Sequence, residues 1–185
     1  MEDERELVER ARRSDPEALS RLYETYFDRI YRYVAVRVGS TEEAEDLTQQ
    51  VFLQAFEALP SFKWRGVPFS SWLFRIAHSQ VVDHHRKASR TQVMPLEVPV
   101  AVAGPDPCEE AEREMALERV REALASLTEL QREVISLRFA AGLSTAETAK
   151  TMGKREGAIK ALQHSALAAL RRALSRETTE DVRQV

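Results

Sequence analysis

One cysteine, Cys108, occurs in the whole chain. That scarcity excludes an internal disulfide framework and suits a reducing compartment. No apolar run approaches the roughly 20 residues that cross a bilayer. The opening Met1-Glu2-Asp3-Glu4-Arg5 puts acids where a secretory leader has its apolar segment. The expectation is a soluble, intracellular protein with no membrane contact by the chain itself. Glycine (six) and proline (seven) are also few, and no strand pattern of useful length occurs. What lies between these breakers therefore reads as helix. At 185 residues and 43 % hydrophobic composition, the chain can pack one large or two small cores.

Overall charge is also small, −3, but it is unevenly placed. Residues 61–90 carry six Lys/Arg against one acid, and residues 134–185 carry nine against five. The stretches 1–60 and 91–133 are each six acids in excess. Phosphate is neutralised locally, so two basic blocks joined by an acidic connector point to nucleic acid despite the overall acidity.

Ser14-Asp15-Pro16-Glu17 opens a helix in which Leu19, Leu22, Tyr23, Tyr26, Phe27, Ile30, Tyr31, Val34 and Val38 recur at helical spacing, and Gly39 ends it. Ser40-Thr41-Glu42-Glu43 is a capping-box pattern for a second helix, stopped by Pro60. A third spans about Ser70 to Arg90. Pro95, Pro99, Gly104, Pro105 and Pro107 mark a linker. Helix returns near Cys108 and runs to about Ala125. Thr128–Gln131 and Ser144–Glu147 are two more capping boxes, opening helices that end at Gly142 and Gly153. A last helix covers about Glu156 to Arg176. The fold class is all-α: two small helical domains joined by a flexible linker, the C-terminal one a helix-turn-helix.

The helix-turn-helix reading rests on residues 144–170. A short helix with Ala146 and Ala149 inward meets a turn at Gly153, then a second helix with Ile159, Leu162 and Ala166 inward. Lys154, Arg155, Lys160, Gln163 and His164 then face outward, toward a major groove. The segment LTELQREVISLRFAAGLSTAETAKTMGKREGAIKALQHSALAALRRAL resembles the promoter-reading fourth region of bacterial sigma factors. Leu127, Gln131, Arg132, Leu137, Arg138, Gly142, Leu143, Ser144, Glu147, Ala149, Gly153, Gly157 and Lys160 fall on matching positions. The resemblance implies −35 promoter binding by Arg132, Arg138, Ser144, Lys154, Arg155, Glu156, Lys160, Gln163 and His164. Two residues depart from the family pattern: Arg155 stands where a capping serine or asparagine is usual, and Thr148 replaces an isoleucine.

Residues 15–90 resemble the second region of the same family. EEAEDLTQQVFLQAFEAL matches the helix that docks on the clamp helices of the polymerase's largest subunit, which implies Asp46, Gln49, Gln50 and Gln54 as docking residues. Gln50 takes a position often held by glutamate. In SFKWRGVPFSSWLFRIAHSQVVDHHRK, aromatic residues alternate with cations, which suits stacking on unpaired bases while phosphates are tracked. This stretch resembles the −10-reading segment and implies Lys63, Trp64, Arg65, Ser71, Arg75, Ser79, Arg86 and Lys87 as contacts. Ser79 replaces an asparagine frequent in relatives. Trp72, Phe74 and Ile76 read as core.

Together these matches resemble the minimal plan of the extracytoplasmic-function (ECF) sigma factors. Residues 1–90 correspond to region 2, 91–110 to a flexible acidic linker, 111–176 to region 4 and 177–185 to a polar tail. The implied function is non-catalytic: directing core RNA polymerase to promoters. The implied partners are the clamp helices, the flap of the second subunit, promoter DNA and an anti-sigma factor. No cofactor is called for. His78, His84 and His85 near Asp83 lack ligand spacing for a metal; DNA-backbone contact or solvent exposure is the expectation for them. Three rivals remain open on sequence: an autonomous helix-turn-helix regulator, a metal-dependent hydrolase and a helical scaffold.

Overall fold

The computed structural model describes residues 3–64, 66–91, 120 and 122–181. Cys108, Arg65 and nearly all of the 91–110 linker lie outside them. Among the described residues there is no strand, and no helix is long and apolar enough to cross a membrane.

Local sequence explains most helix boundaries. Helix α1 (Glu4–Ala11) starts at Asp3, whose carboxylate accepts from Arg5 N–H at 3.4 Å, and it buries Val8 and Ala11. Leu7, Val8 and Ala11 share one face of it among charged residues, but its eight residues give that pattern barely two turns in which to show. Helix α2 (Pro16–Val38) is capped by Asp15, which accepts from Glu17 N–H at 3.1 Å; Gly39, at φ +88°, lets the chain turn out. Helix α3 (Thr41–Ala58) starts at Ser40, which accepts from Glu43 N–H at 3.4 Å, while the Glu43 carboxylate lies 3.5 Å from His84. A short 3₁₀ turn, Leu59–Ser61, leads away, and α4 spans Phe69–Thr91.

The capping boxes at Thr128 and Ser144 are complete, each with its side chain reciprocated three residues on by Gln131 or Glu147. They open α5 (Glu129–Ile135) and α6 (Thr145–Met152). After α5 the backbone widens over Ser136–Ala140, where Ala141 N–H reaches the Ser136 carbonyl at 2.9 Å. Helix α7 (Glu156–Asp181) continues beyond the Arg176 end that the sequence suggested.

Two expectations for the interior need correction. Ala146, expected inward, is exposed, whereas Thr148 is fully buried, as its standing at the family's isoleucine position implies. The Thr148 hydroxyl donates to the Ser144 carbonyl at 2.8 Å, which satisfies the buried polar group. Tyr23 stays partly exposed on the edge of the α2 face.

The N-terminal core gathers Leu22, Ile30, Tyr33, Val51, Phe69, Phe74 and their neighbours. Leu137, Ala141 and Leu143, which follow α5 in the C-terminal module, bury in this same cluster. The two modules therefore pack face to face through α2 and α4 on one side and α5, its widened turn and α6 on the other. The sequence had suggested modules held only by a linker; this shared apolar face is the main feature it did not reveal.

Candidate nucleic-acid interface

Helix α3 carries Asp46, Gln49, Gln50 and Gln54 outward, all exposed. Their i, i+3, i+4 and i+8 spacing keeps them along one side of the helix. Gln80 donates to the Gln54 side-chain oxygen at 2.8 Å. Among them sits Leu53, 63 % exposed. Helical spacing from Gln49 and Gln50 could have singled it out.

The segment leading into α4 builds a pocket of about 400 Å³ lined by Ser61, Phe62, Lys63, Val67, Trp72 and Arg75. Phe62 is buried and packs at 5.0 Å from Trp72 and edge-on at 5.3 Å from Trp64, which stiffens the wall. Lys63 is exposed and Trp64 half-buried. Trp72 and Ile76 are half-buried, and Phe74 is fully buried. Aromatic faces flanked by two cations suit a flat, unstacked base with its phosphate.

Other residues proposed from sequence for this strand lie differently. Ser71 is fully buried and donates to the Glu147 carbonyl at 3.2 Å. Arg75 donates to the Thr151 carbonyl at 3.3 Å and also to the Lys150 carbonyl. Ser79, Arg86 and Lys87 are exposed along α4, with Arg86 paired to Asp83 at 2.8 Å.

In the C-terminal module Lys154, Arg155, Glu156, Lys160 and His164 are all exposed around the start of α7. Arg155 occupies the capping position: its carbonyl accepts from Ala158 N–H at 2.9 Å. Ser144 is exposed and caps α6. Three residues of the set face inward instead. Arg132 donates to the carbonyls of Leu124, Ala125 and Leu127 at 3.2–3.3 Å. Arg138 donates to the Leu143 carbonyl and to Gln163 Oε1 at 3.1 Å, so Gln163 is held inside the module as well. Guanidinium donors match carbonyls left over at helix ends as well as they match phosphates, and here the carbonyls are nearer.

The histidines also have protein partners. His78 Nδ1 lies 3.1 Å from Glu133, and that hydrogen bond holds its pKa above the ordinary value. Its side chain is 42 % exposed, so the imidazole is shared between Glu133 and solvent. Among the described residues no group of His, Cys, Asp and Glu is arranged to hold a metal ion.

Sequence reasoning missed Ser70, Glu147, Lys150, Tyr33, Arg37 and Glu133, which join the modules. Ser70 donates to Glu147 at 2.9 Å, and Lys150 donates to the Gly66 carbonyl at 2.9 Å. Burial works to raise the Glu147 pKa, but hydrogen bonds from Ser144 and Ser70 bring it below the ordinary carboxylate value.

Comparison with known proteins agrees with this division. Residues 22–91 match Sigma-70 region 2, and residues 123–172 match Sigma-70 region 4. The ECF RNA polymerase sigma factor BldN of Streptomyces coelicolor is 42 % identical over 175 residues; the match takes in 91 % of this chain but 65 % of BldN. SigD of Mycobacterium tuberculosis, also an ECF RNA polymerase sigma factor, is 38 % identical over 89 % of this chain and 81 % of its own length. The sigma factor RpoE of Bartonella quintana, solved with the anti-sigma factor NepR, shares the fold at a TM-score of 0.66. It is 24 % identical, over 84 % of this chain and 96 % of the solved one. With both regions matched in order and curated relatives aligned along most of its length, the chain belongs to the ECF RNA polymerase sigma factors.

Proposed function

We propose that this chain directs core RNA polymerase to a set of promoters, in the cytoplasm, as a specificity subunit without catalytic activity of its own. The observation that carries the reading is the aromatic and cationic pocket between Phe62, Lys63, Trp72 and Arg75, on one chain with an exposed helix-turn-helix reader. A duplex reader alone has no use for such a pocket; a protein that receives a melted strand does.

In this reading residues 1–90 act as the region 2 domain and residues 111–176 as the region 4 domain. The exposed face of α3, with Asp46, Gln49, Gln50 and Gln54 around Leu53, docks on the clamp helices of the largest subunit. Lys63, Trp64 and Trp72 receive an unpaired −10 base while nearby cations track the phosphates. The start of α7 enters the −35 major groove with Lys154, Arg155, Glu156 and Lys160. An apolar groove of about 290 Å³, lined in part by Val36, Leu124, Ile135, Phe139, Leu170 and Leu174, is suited to an apolar helix of the second subunit's flap or of an anti-sigma partner. The complex of Bartonella RpoE with NepR supports that class of partner.

The test is assembly of the purified chain with core polymerase, beside a variant carrying Asp46→Ala, Gln49→Ala and Gln50→Ala. Stable assembly weakened at least tenfold by the triple change is expected. Tight duplex binding with no assembly would instead favour an autonomous helix-turn-helix regulator.

A further inference from the structure

Helix α1 lies ahead of residues 22–91, the span that matches region 2, yet it reaches the segment that builds the strand pocket. The helix itself is well anchored. Val8 and Ala11 are buried in the N-terminal core, and the Tyr26 hydroxyl donates to Glu4. Ser14, at φ +62°, turns the chain tightly into α2, and Arg10 pairs with Asp15 at 2.7 Å across that corner. Arg12 closes α1. Its Nη1 donates to both Glu9 carboxylate oxygens at 2.9 and 2.8 Å, which fixes the guanidinium, and its Nη2 donates to the Pro60 carbonyl at 3.3 Å. Phe62 is extended, at ψ +134°, so the Pro60 carbonyl lies where helical pairing has stopped. The next three residues, Ser61, Phe62 and Lys63, line the pocket, and Phe62 packs at 5.0 Å from Trp72. The Arg12 Nε is buried without an acceptor among the described residues. Leaving a buried donor unmet costs free energy, so stability alone gives no reason for an arginine here.

We propose that Arg12 is a positioning residue for capture of the −10 strand. From α1 it holds the turn at residues 60–63, and so keeps Lys63 and the wall of Phe62 and Trp72 at the spacing that a base and its phosphate need. The inference rests on the proposed function, since it concerns the same pocket. Arg12 acts through the turn and touches no DNA. Leu59 and Phe62 are buried and anchor the turn on its core side, while Pro60, Ser61 and Lys63 are exposed. The Arg12 contact therefore restrains the part of the turn that the core does not reach. A turn already ordered before the strand arrives spares the ordering cost that binding would otherwise meet.

The test uses polymerase holoenzyme formed with the full chain, on a supercoiled promoter selected from a random library by the wild type. Permanganate reactivity reports the opened −10 strand, and gel shift with the −35 duplex reports the reader. Arg12→Ala is expected to lower opening about tenfold, while assembly with core polymerase, −35 binding and the melting temperature of the chain hold. Arg12→Lys, which still offers a donor to the Pro60 carbonyl, should recover most of the loss. Binding of a fluorescent single-stranded 12-mer of the selected −10 sequence should fall with salt at the same slope in Arg12→Ala as in the wild type, because no phosphate contact is lost. A slope lowered by about 0.7, the share of one single-strand phosphate, would make Arg12 a direct DNA contact and overturn the positioning role. Full opening by Arg12→Ala would overturn it too, as would no recovery in Arg12→Lys. A parallel fall in assembly, −35 binding and opening would mark a merely structural arginine and reject the role. Trp72→Ala separates the two ideas. If it fails to open the promoter while Arg12→Ala opens normally, the positioning role alone falls. If Trp72→Ala opens normally, the strand pocket falls and the role with it.

Discussion

The two modules differ in how much core each has of its own. The N-terminal one is built on large interlocked side chains: Tyr26 lies 5.5 Å from Phe69, Tyr33 5.6 Å from Phe74, and Phe62 5.7 Å from Phe69. The C-terminal one has two small clusters, Leu124–Leu127–Ile135–Ala166 and Val134–Ala149–Ile159, and places Leu137, Ala141 and Leu143 into its neighbour's core. A helical module of this size rarely draws more than about 3–5 kcal/mol from its own core. The proposed reader helix therefore sits on the module that leans on the other, while the proposed strand pocket sits on the self-supporting one, beside the contacts that α6 makes with Ser71 and Arg75.

That asymmetry is most sharply tested by Leu137→Ala. The side chain is fully buried in the N-terminal cluster yet belongs to the C-terminal module. Its truncation is expected to destabilise by about 2–5 kcal/mol. Calorimetry should then show the C-terminal module melting before the N-terminal one; a single unsplit transition at the wild-type temperature would contradict a shared core.

Next in size, Trp72→Ala removes a pocket wall. Loss of a stacking partner is worth about 1–3 kcal/mol, so open-complex formation on a supercoiled promoter should fall roughly 10- to 100-fold. Binding of the −35 duplex by the holoenzyme should hold, which permanganate footprinting and gel shift can separate.

A smaller effect is expected from Arg155→Ser, which supplies a side-chain acceptor at the start of α7. It should raise the stability of the C-terminal module by about 1 kcal/mol while changing promoter preference in a selection assay. Unaltered preference would remove Arg155 from the readers.

The least effect is expected from pH. Hydrogen bonding to Glu133 raises the His78 pKa above its ordinary 6.5. The stabilisation from His78 is therefore complete below that value and fades as pH rises through the raised one. His85 opposes it: burial, with Arg37 and His84 nearby, lowers its pKa, so its protonation weakens the fold as pH falls below 6.5. The wild-type melting temperature minus that of His78→Gln should therefore shrink between about pH 6 and pH 8. A flat difference would mean that Glu133 has no such hold on the imidazole.

The caps at Asp15, Ser40, Thr128 and Ser144, the stops at Gly39, Gly142 and Gly153, and the all-α class were legible in the chain itself. Each depends on residues three or four positions apart, and such spacing is visible without a fold. The exposed polar face of α3 and the exposed start of α7 were legible for the same reason. Helix α1 carries the same kind of signal in Leu7, Val8 and Ala11, but over only eight residues. What tertiary structure alone decided is where donors and charges find partners across 70 or more residues: Tyr33 with Glu133, Arg29 with the Ala141 carbonyl, Ser71 with the Glu147 carbonyl. Arginine and serine donate alike to phosphate, carboxylate and carbonyl, so their identity announces a donor but not its acceptor. Only the packing of Leu137, Ala141 and Leu143 into the N-terminal core brings α6 against Ser70, Ser71 and Arg75 and makes that choice.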